Sequence, residues 1–370
     1  MKFHPRFGTR AFVVAVLATP VGLELGLRFL GGYGRHVVAE RSSRYGWRLL
    51  PDQLGRCRES GVPERINRLG FRDRHWDPPR PARVETDVWG TERPVRSPPL
   101  VRIALLGADA TYGAGVPIQD TWGRALERGL AADLLALGDP RRPLVMNFAV
   151  PGYVFEQMAR VYEDEVRRYR PDVVVVAVRP GQLRPMGRAW TPRDYPLRRQ
   201  LLRTALHDFL SSAVLGTRPG AEARRRPALA LEECPWESFG NRLEEIRAAV
   251  EADGGRLLLV CTPTPGAVLE PGEPWTPEAM AGWLAAHPTV RCVDPRAGFR
   301  RSMPALLGEL ERRGIEPGEL WGPKSSAAVP ELDHDAQSPF VRHGGSRLTP
   351  RGHLILAAEV RAVLKESDWL

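Results

Sequence analysis

From residue 101 onward, short apolar runs alternate with stretches whose leucines recur at helical spacing. Residues 101–106 (VRIALL), 144–150 (LVMNFAV), 172–178 (DVVVVAV), 256–261 (RLLLVC) and 290–293 (VRCV) predict strands. The run at 172–178 is β-branched and uncharged after its first residue, which suits a strand covered on both faces. Between these runs, residues 122–137 place Leu126, Leu130, Leu134 and Leu137 on one helical face. Residues 155–169, 236–252, 277–286, 297–313 and 351–364 predict further helices. Strand and helix alternating at this spacing predict an α/β domain, a three-layer doubly wound parallel sheet, over residues 101–370. Residues 184–234 interrupt the alternation and read as a helical insertion, with a helix over 197–215.

The chain ahead of residue 101 follows another pattern. Lys2, Arg6 and Arg10 precede an apolar stretch, residues 11–27, close to the minimum length that spans a bilayer. Residues 1–30 therefore predict an N-terminal membrane anchor, a signal anchor left uncleaved, with the main domain on the extracytoplasmic side. Pro20 and Glu24 interrupt the stretch; a cleaved signal peptide and a buried amphipathic helix are its rivals, although no A-x-A site follows. Residues 31–100 are rich in Arg, Pro, Gly and Trp with little periodicity, and predict an irregular lead-in segment.

Composition narrows the chemistry. The net charge of +9 comes almost entirely from Arg, either as a basic face or as scattered surface charge. The one dense run, Arg224-Arg225-Arg226, has no aromatic residues among it, so no nucleic-acid partner is expected. Cys57, Cys234, Cys261 and Cys292 show no C-x-x-C spacing, which argues against zinc and for buried thiols, or a disulfide outside the cytoplasm. Residues 107–115 (GADATYGAG) fit neither the dinucleotide fingerprint nor a phosphate-binding G-K-[ST] loop, so no cofactor is expected.

In an open α/β sheet, ligands bind beyond the carboxyl ends of the strands. Those ends carry a series of blocks. Gly107, Thr111, Gly113, Gly115 and Val116 fall in register with G-D-S-x-T-x-G-x-G-V; Asn147-Phe148-Ala149-Val150-Pro151-Gly152-Tyr153 is similar to N-x-G-x-P-G-Y. Pro171-Asp172 precedes the valine run, and Leu348-Thr349-Pro350-Arg351-Gly352-His353 is similar to the end of H-L-x-P-x-G-H. Upstream, Leu23-Glu24-Leu25-Gly26-Leu27-Arg28, Tyr45-Gly46-Trp47-Arg48 and Ile66-Asn67-Arg68-Leu69-Gly70-Phe71-Arg72-Asp73 complete the series. In this order the blocks resemble the membrane-anchored members of the SGNH (GDSL-type) hydrolase superfamily. The resemblance spans nearly the whole chain apart from the insertion, and implies a flavodoxin-like fold and ester chemistry.

It also implies a serine nucleophile, a histidine base with an aspartate, and an oxyanion hole. Each side chain departs here. The serine slot holds Asp109 and the slot before it Ala108; the second-block glycine is Ala149, whose N–H remains a possible donor. The asparagine slot holds Gly181, or Gln182 one residue on; the histidine slot holds Arg347, and the acid slot Gly344 or Gly345. Loss of a nucleophile or base alone lowers turnover by roughly 10⁶, so a serine esterase is excluded on this reading. The expected ligand cleft is formed by Asp109, Ala149, Gly181 and Arg347, with an ion pair between Asp109 and Arg347. Asp109, Thr111 and His353 are weak catalytic candidates, with His353 more naturally a structural residue and Thr111 a hydrogen-bonding one. His343 and the Asp333-His334-Asp335 cluster are further candidates for a base or a metal, although consecutive residues seldom converge on one ion, and no metal is expected. The chain is thus expected to be a pseudoenzyme binding a cell-envelope glycan or an envelope protein at the membrane. The alternatives are an esterase or acyltransferase using non-standard residues, and a structural component of a membrane assembly.

Overall fold

The computed structural model describes residues 19–30, 34, 36–57, 60–79, 84–86, 92–94, 99–179, 182, 204–210, 236–269, 278–314, 338–340 and 347–369. Five parallel strands form the central sheet: β7 (Leu100–Leu106), β8 (Arg142–Asn147), β9 (Val173–Val178), β10 (Arg256–Cys261) and β11 (Arg291–Val293), in the order β11-β10-β9-β7-β8. Counted from the first of them this is 2-1-3-4-5, the flavodoxin-like order whose switch point lies between the first and third strands. That point is the β7–β9 edge, where Ile103 pairs with Val173 and Leu106 with Val176. Every residue of β9 is buried, as a strand covered on both faces requires.

Alternate residues of these strands feed two apolar layers. On one face Ile103, Leu105, Val173 and Val175 meet α3 (Trp122–Ala136) through Trp122, Leu126, Leu130 and Leu134, and α11 (Pro350–Glu366) through Leu356, Val360 and Leu364. On the other face Ala104, Leu106, Val174 and Val176 meet α4 (Phe155–Val161) and α6 (Trp236–Ala252) through Phe155, Met158, Leu243 and Ile246. The helix expected over 155–169 widens after Val161 into a π turn, Tyr162–Val166, and then tightens into a 3₁₀ turn, Arg167–Tyr169. The one expected over 297–313 is two helices, α9 (Arg296–Arg301) and α10 (Pro304–Arg312), because Pro304 has no N–H and starts the second.

The lead-in is more ordered than its composition suggested. It holds three antiparallel pairs: β1 (Ala39–Ser42) with β2 (Gly46–Leu49), β3 (Gln53–Arg56) with β4 (Pro63–Ile66), and β5 (Val84–Thr86) with β6 (Glu92–Pro94). Tyr45, Leu49, Ile66, Phe71 and Trp76 join the same apolar layer as α4 and α6. Trp76 and Phe148 pack with their rings tilted and their centroids 4.6 Å apart.

Residues 1–18 of the expected anchor lie outside the described residues. Residues 19–29 form a helix, α1. Among the described residues no helix is long and apolar enough to cross a membrane, so the anchor gains no support here. Glu24, the odd residue of the apolar stretch, has a structural task. Its carboxylate accepts from the N–H groups of Ala205 (2.7 Å) and Leu206 (3.1 Å) at the start of α5 (Ala205–Phe209), and pairs with Arg28 at 2.7 Å. Of the insertion, only residues 204–210 are described.

Candidate functional site

β7 ends at the switch point and the chain turns at once into α2 (Asp109–Tyr112). Gly113 closes that turn at φ +75°, a left-handed conformation that favours glycine. Asp109 therefore begins a helix at the carboxyl edge of the sheet, with 28% of its side chain exposed. Its carboxylate lies 3.7 Å from the guanidinium of Arg179, which follows the end of β9 and is 32% exposed. Gln182 folds back so that its side-chain oxygen accepts from the Arg179 N–H at 3.0 Å. Thr262, which follows β10, donates its N–H to the Val178 carbonyl at 2.8 Å. These residues line a small notch at the sheet edge, open to solvent, together with Ala108, Ala110, Thr111 and Ala177. Among its described lining residues there is no serine and no histidine.

The ion pair expected between Asp109 and Arg347 is not formed; Asp109 pairs with Arg179. The sheet explains the exchange. β7 and β9 are neighbours, so a cation just past β9 is delivered to the first residues past β7. Arg347 lies just before α11, half-buried and electrostatically coupled to Cys57, and burial draws its guanidinium below the usual range. Gln182, the alternative for the asparagine slot, reaches the cleft. Gly181, His343, Gly344, Gly345 and the Asp333-His334-Asp335 cluster lie outside the described residues.

Ala149 is fully buried, and its N–H is already used: it donates to the side-chain oxygen of Asn147 at 3.0 Å. That amide also donates to the Thr111 carbonyl at 2.9 Å, so the first and second blocks are tied to each other rather than turned to the cleft. Thr111 is 1% exposed and its hydroxyl has no hydrogen-bond partner. His353 is equally buried. Its Nδ1 accepts from the Trp122 N–H, the first of α3, at 3.1 Å. Burial, reinforced by the nearby Arg72 cation, pushes its pKa down to about 3, so the ring is neutral at physiological pH. The rest of its block is helix-starting machinery: Thr349 accepts the Gly352 N–H as N-cap and Pro350 occupies the first turn. Gly352 packs against the Pro339 carbonyl, where a side chain would collide.

The support beneath the first block comes from Ile66–Asp73. Asn67 accepts from the N–H groups of Leu69 and Phe71 and donates to the Arg74 carbonyl. That turn delivers Arg72 and Asp73 under the sheet edge. Arg72 is 1% exposed and donates to the carbonyls of Tyr112 (3.1 Å), Gly113 and Val116 (2.6 Å). Its Nε lies 3.7 Å from the buried Glu64, whose pKa burial raises despite Arg72 and a hydrogen bond from Tyr112. Asp73 accepts from the Asn147 N–H at 2.9 Å and pairs with Arg124. Neither Arg72 nor Arg179 was singled out from the sequence as a site residue. The first stood within a recognised block, and the second stood at a strand end, so both carried a positional signal.

No family model matches the sequence, and no curated protein matches it. Solved structures do. A lipase/acylhydrolase from Enterococcus faecalis is 16% identical, covering 72% of this chain and 96% of that one, with a TM-score of 0.37. The acetyl xylan esterase AlAXEase is 14% identical over 71% of this chain and 100% of that one, TM-score 0.39. Axe2, an acetylxylan esterase from Geobacillus stearothermophilus, is 14% identical over 73% and 95%, TM-score 0.36. Superpositions this loose add nothing to what the strand order already fixes.

Proposed function

We propose that the chain is a non-hydrolytic protein of SGNH type that binds a polar ligand, a hydroxyl-rich glycan of the cell envelope, in the cleft beside Asp109. The observation that supports this reading is the Asp109–Arg179 pair at the carboxyl edge of the sheet. Nucleophilic catalysis needs an activated nucleophile with an oriented base. Asp109 engages a cation, and His353 is buried, neutral and bonded to the Trp122 N–H. The Asp109 carboxylate and the Arg179 guanidinium, each about a third exposed, offer the acceptors and donors that sugar hydroxyls require. In this reading the apolar residues ahead of α1 hold the domain to the membrane on its extracytoplasmic side, where a glycan or an envelope protein is met.

The test is turnover on aryl acetates and on acetylated glycans by the purified chain and by Asp109→Ala. Background rates in both are expected, with glycan binding weakened severalfold in Asp109→Ala and Arg179→Gln. Turnover well above background that disappears in Asp109→Ala would move the chain to the other class, an esterase or acyltransferase with a carboxylate nucleophile. Release from membranes by alkaline carbonate would remove the anchor from the proposal.

A further inference from the structure

Two cysteines face each other across the last two strands of the sheet, one of them next to a cleft residue. Cys261 is the last residue of β10, immediately before Thr262 of the cleft wall. Cys292 is the middle residue of β11, the three-residue strand at the edge of the sheet. Leu259 is the register partner of Cys292, so Cys261 lies two residues further on and its side chain leaves the sheet on the same face. The two Sγ atoms are 3.5 Å apart, and both residues are free thiols. Cys261 is buried and Cys292 is partly exposed.

We propose that Cys261 and Cys292 are a redox modification site, a dithiol that a small peroxide closes to an intrachain disulfide. This goes beyond the ligand-binding reading and does not depend on it. The thiol reached from solvent is Cys292. Its thiolate attacks one peroxide oxygen, the O–O bond breaks, and a sulfenic acid and hydroxide result. The Cys261 sulfur then displaces the sulfenic hydroxyl. The S–S bond forms, and the Cys261 proton leaves with that hydroxyl as water. With hydrogen peroxide the hydroxide of the first step takes up the proton lost by Cys292, and the sum is two thiols and one hydrogen peroxide giving one disulfide and two waters. Covalent S–S distance is about 2.05 Å, so closure requires a displacement of roughly 1.5 Å beyond the present contact. β11 is the element able to supply it, being short and, among the described residues, paired on one side only. The bond pins the edge strand to the strand that carries Thr262, which is itself bonded to the end of β9. Oxidation therefore stiffens the side of the sheet from which the cleft is built.

The experiment treats the reduced full chain with stoichiometric hydrogen peroxide and maps peptides without reduction. The expected result is a Cys261–Cys292 cross-link, lighter by two hydrogens, reversed by dithiothreitol and retained in a Cys57→Ser/Cys234→Ser variant. The trapping agent dimedone should label Cys292 strongly in Cys261→Ser and weakly in the wild-type chain. Should Cys261→Ser fail to fold, Cys292→Ser at the sheet edge takes its place: it should abolish the cross-link and leave Cys261 unlabelled. Persistent sulfenic or sulfinic acid on Cys292 of the wild-type chain without a cross-link would overturn the proposal. So would a cross-link that survives Cys292→Ser.

Discussion

The two sides of the loop that follows β7 differ in how their polar groups are held. On the inner side Arg72, Asp73, Asn147 and His353 are buried, and each makes hydrogen bonds to the backbone of the neighbouring blocks. On the outer side Asp109 and Arg179 are about a third exposed and meet at 3.7 Å, the length of a loose ion pair. The inner set positions a backbone, and the outer set faces a cleft. The difference teaches that the framework beneath the cleft and the groups that face it are separable. The first is fixed by the cost of burying unpaired polar groups. The second carries almost no stability and is free to change its chemistry.

That contrast breaks first, if it breaks, at Arg72. Arg72→Leu strands the buried Glu64 carboxylate and leaves the carbonyls of Tyr112, Gly113 and Val116 without their donor. A loss of about 3–5 kcal/mol in urea unfolding is expected; a loss below about 1 kcal/mol would mean the inner side is not a stability element.

The next effect is the pH dependence contributed by His353. Its folded pKa lies near 3 and its unfolded value near 6.5. The unfolded chain therefore binds the extra proton between those values. The contribution is complete above about pH 6.5 and is lost as pH falls toward 3. Wild type and His353→Gln should converge in stability on acidification over that window, when unfolding is followed at fixed pH. Parallel curves would show that the ring is not held neutral.

Asp133 supplies a calibration away from both regions. It joins α3 to α11 through Arg361 and Lys365, and its pKa is drawn down to about 2, chiefly by the hydrogen bonds from Arg361. Its contribution is present above about pH 3.8 and disappears as pH falls toward 2. Asp133→Asn should cost about 1–2 kcal/mol at neutral pH.

The smallest change belongs to the outer side. Asp109→Asn and Arg179→Gln should each alter stability by less than about 0.5 kcal/mol. A cost comparable with Arg72→Leu would erase the distinction between the two sides.

Much of the fold was legible because its signals are local. The run 256–261 is β10 to the residue, and the helix expected over 236–252 is α6. The valines of 172–178 announced a strand buried on both faces, and β9 is that strand. The breaks came where a single residue overrides a period, as Pro304 does between α9 and α10. The lead-in hairpins were missed because their strands are only three or four residues long, too short for alternation to stand out. Of the site, Asp109 and the alternative Gln182 were placed at the cleft by block position. Arg179 was not, because an ion pair across the switch point follows from which strands are neighbours, and strand order is not written in any one segment. His353 was legible in part. Its place before the last helix already favoured a structural role over chemistry, but its partner, the Trp122 N–H that begins α3, is 231 positions away and no local signal names it.

The bond from Glu24 to the start of α5 spans 181 positions of sequence. It acts as a latch between the first described helix and the segment inserted midway along the chain. A load applied to α1 pulls directly on that insertion, and freeing either one strips two amide groups of their acceptor.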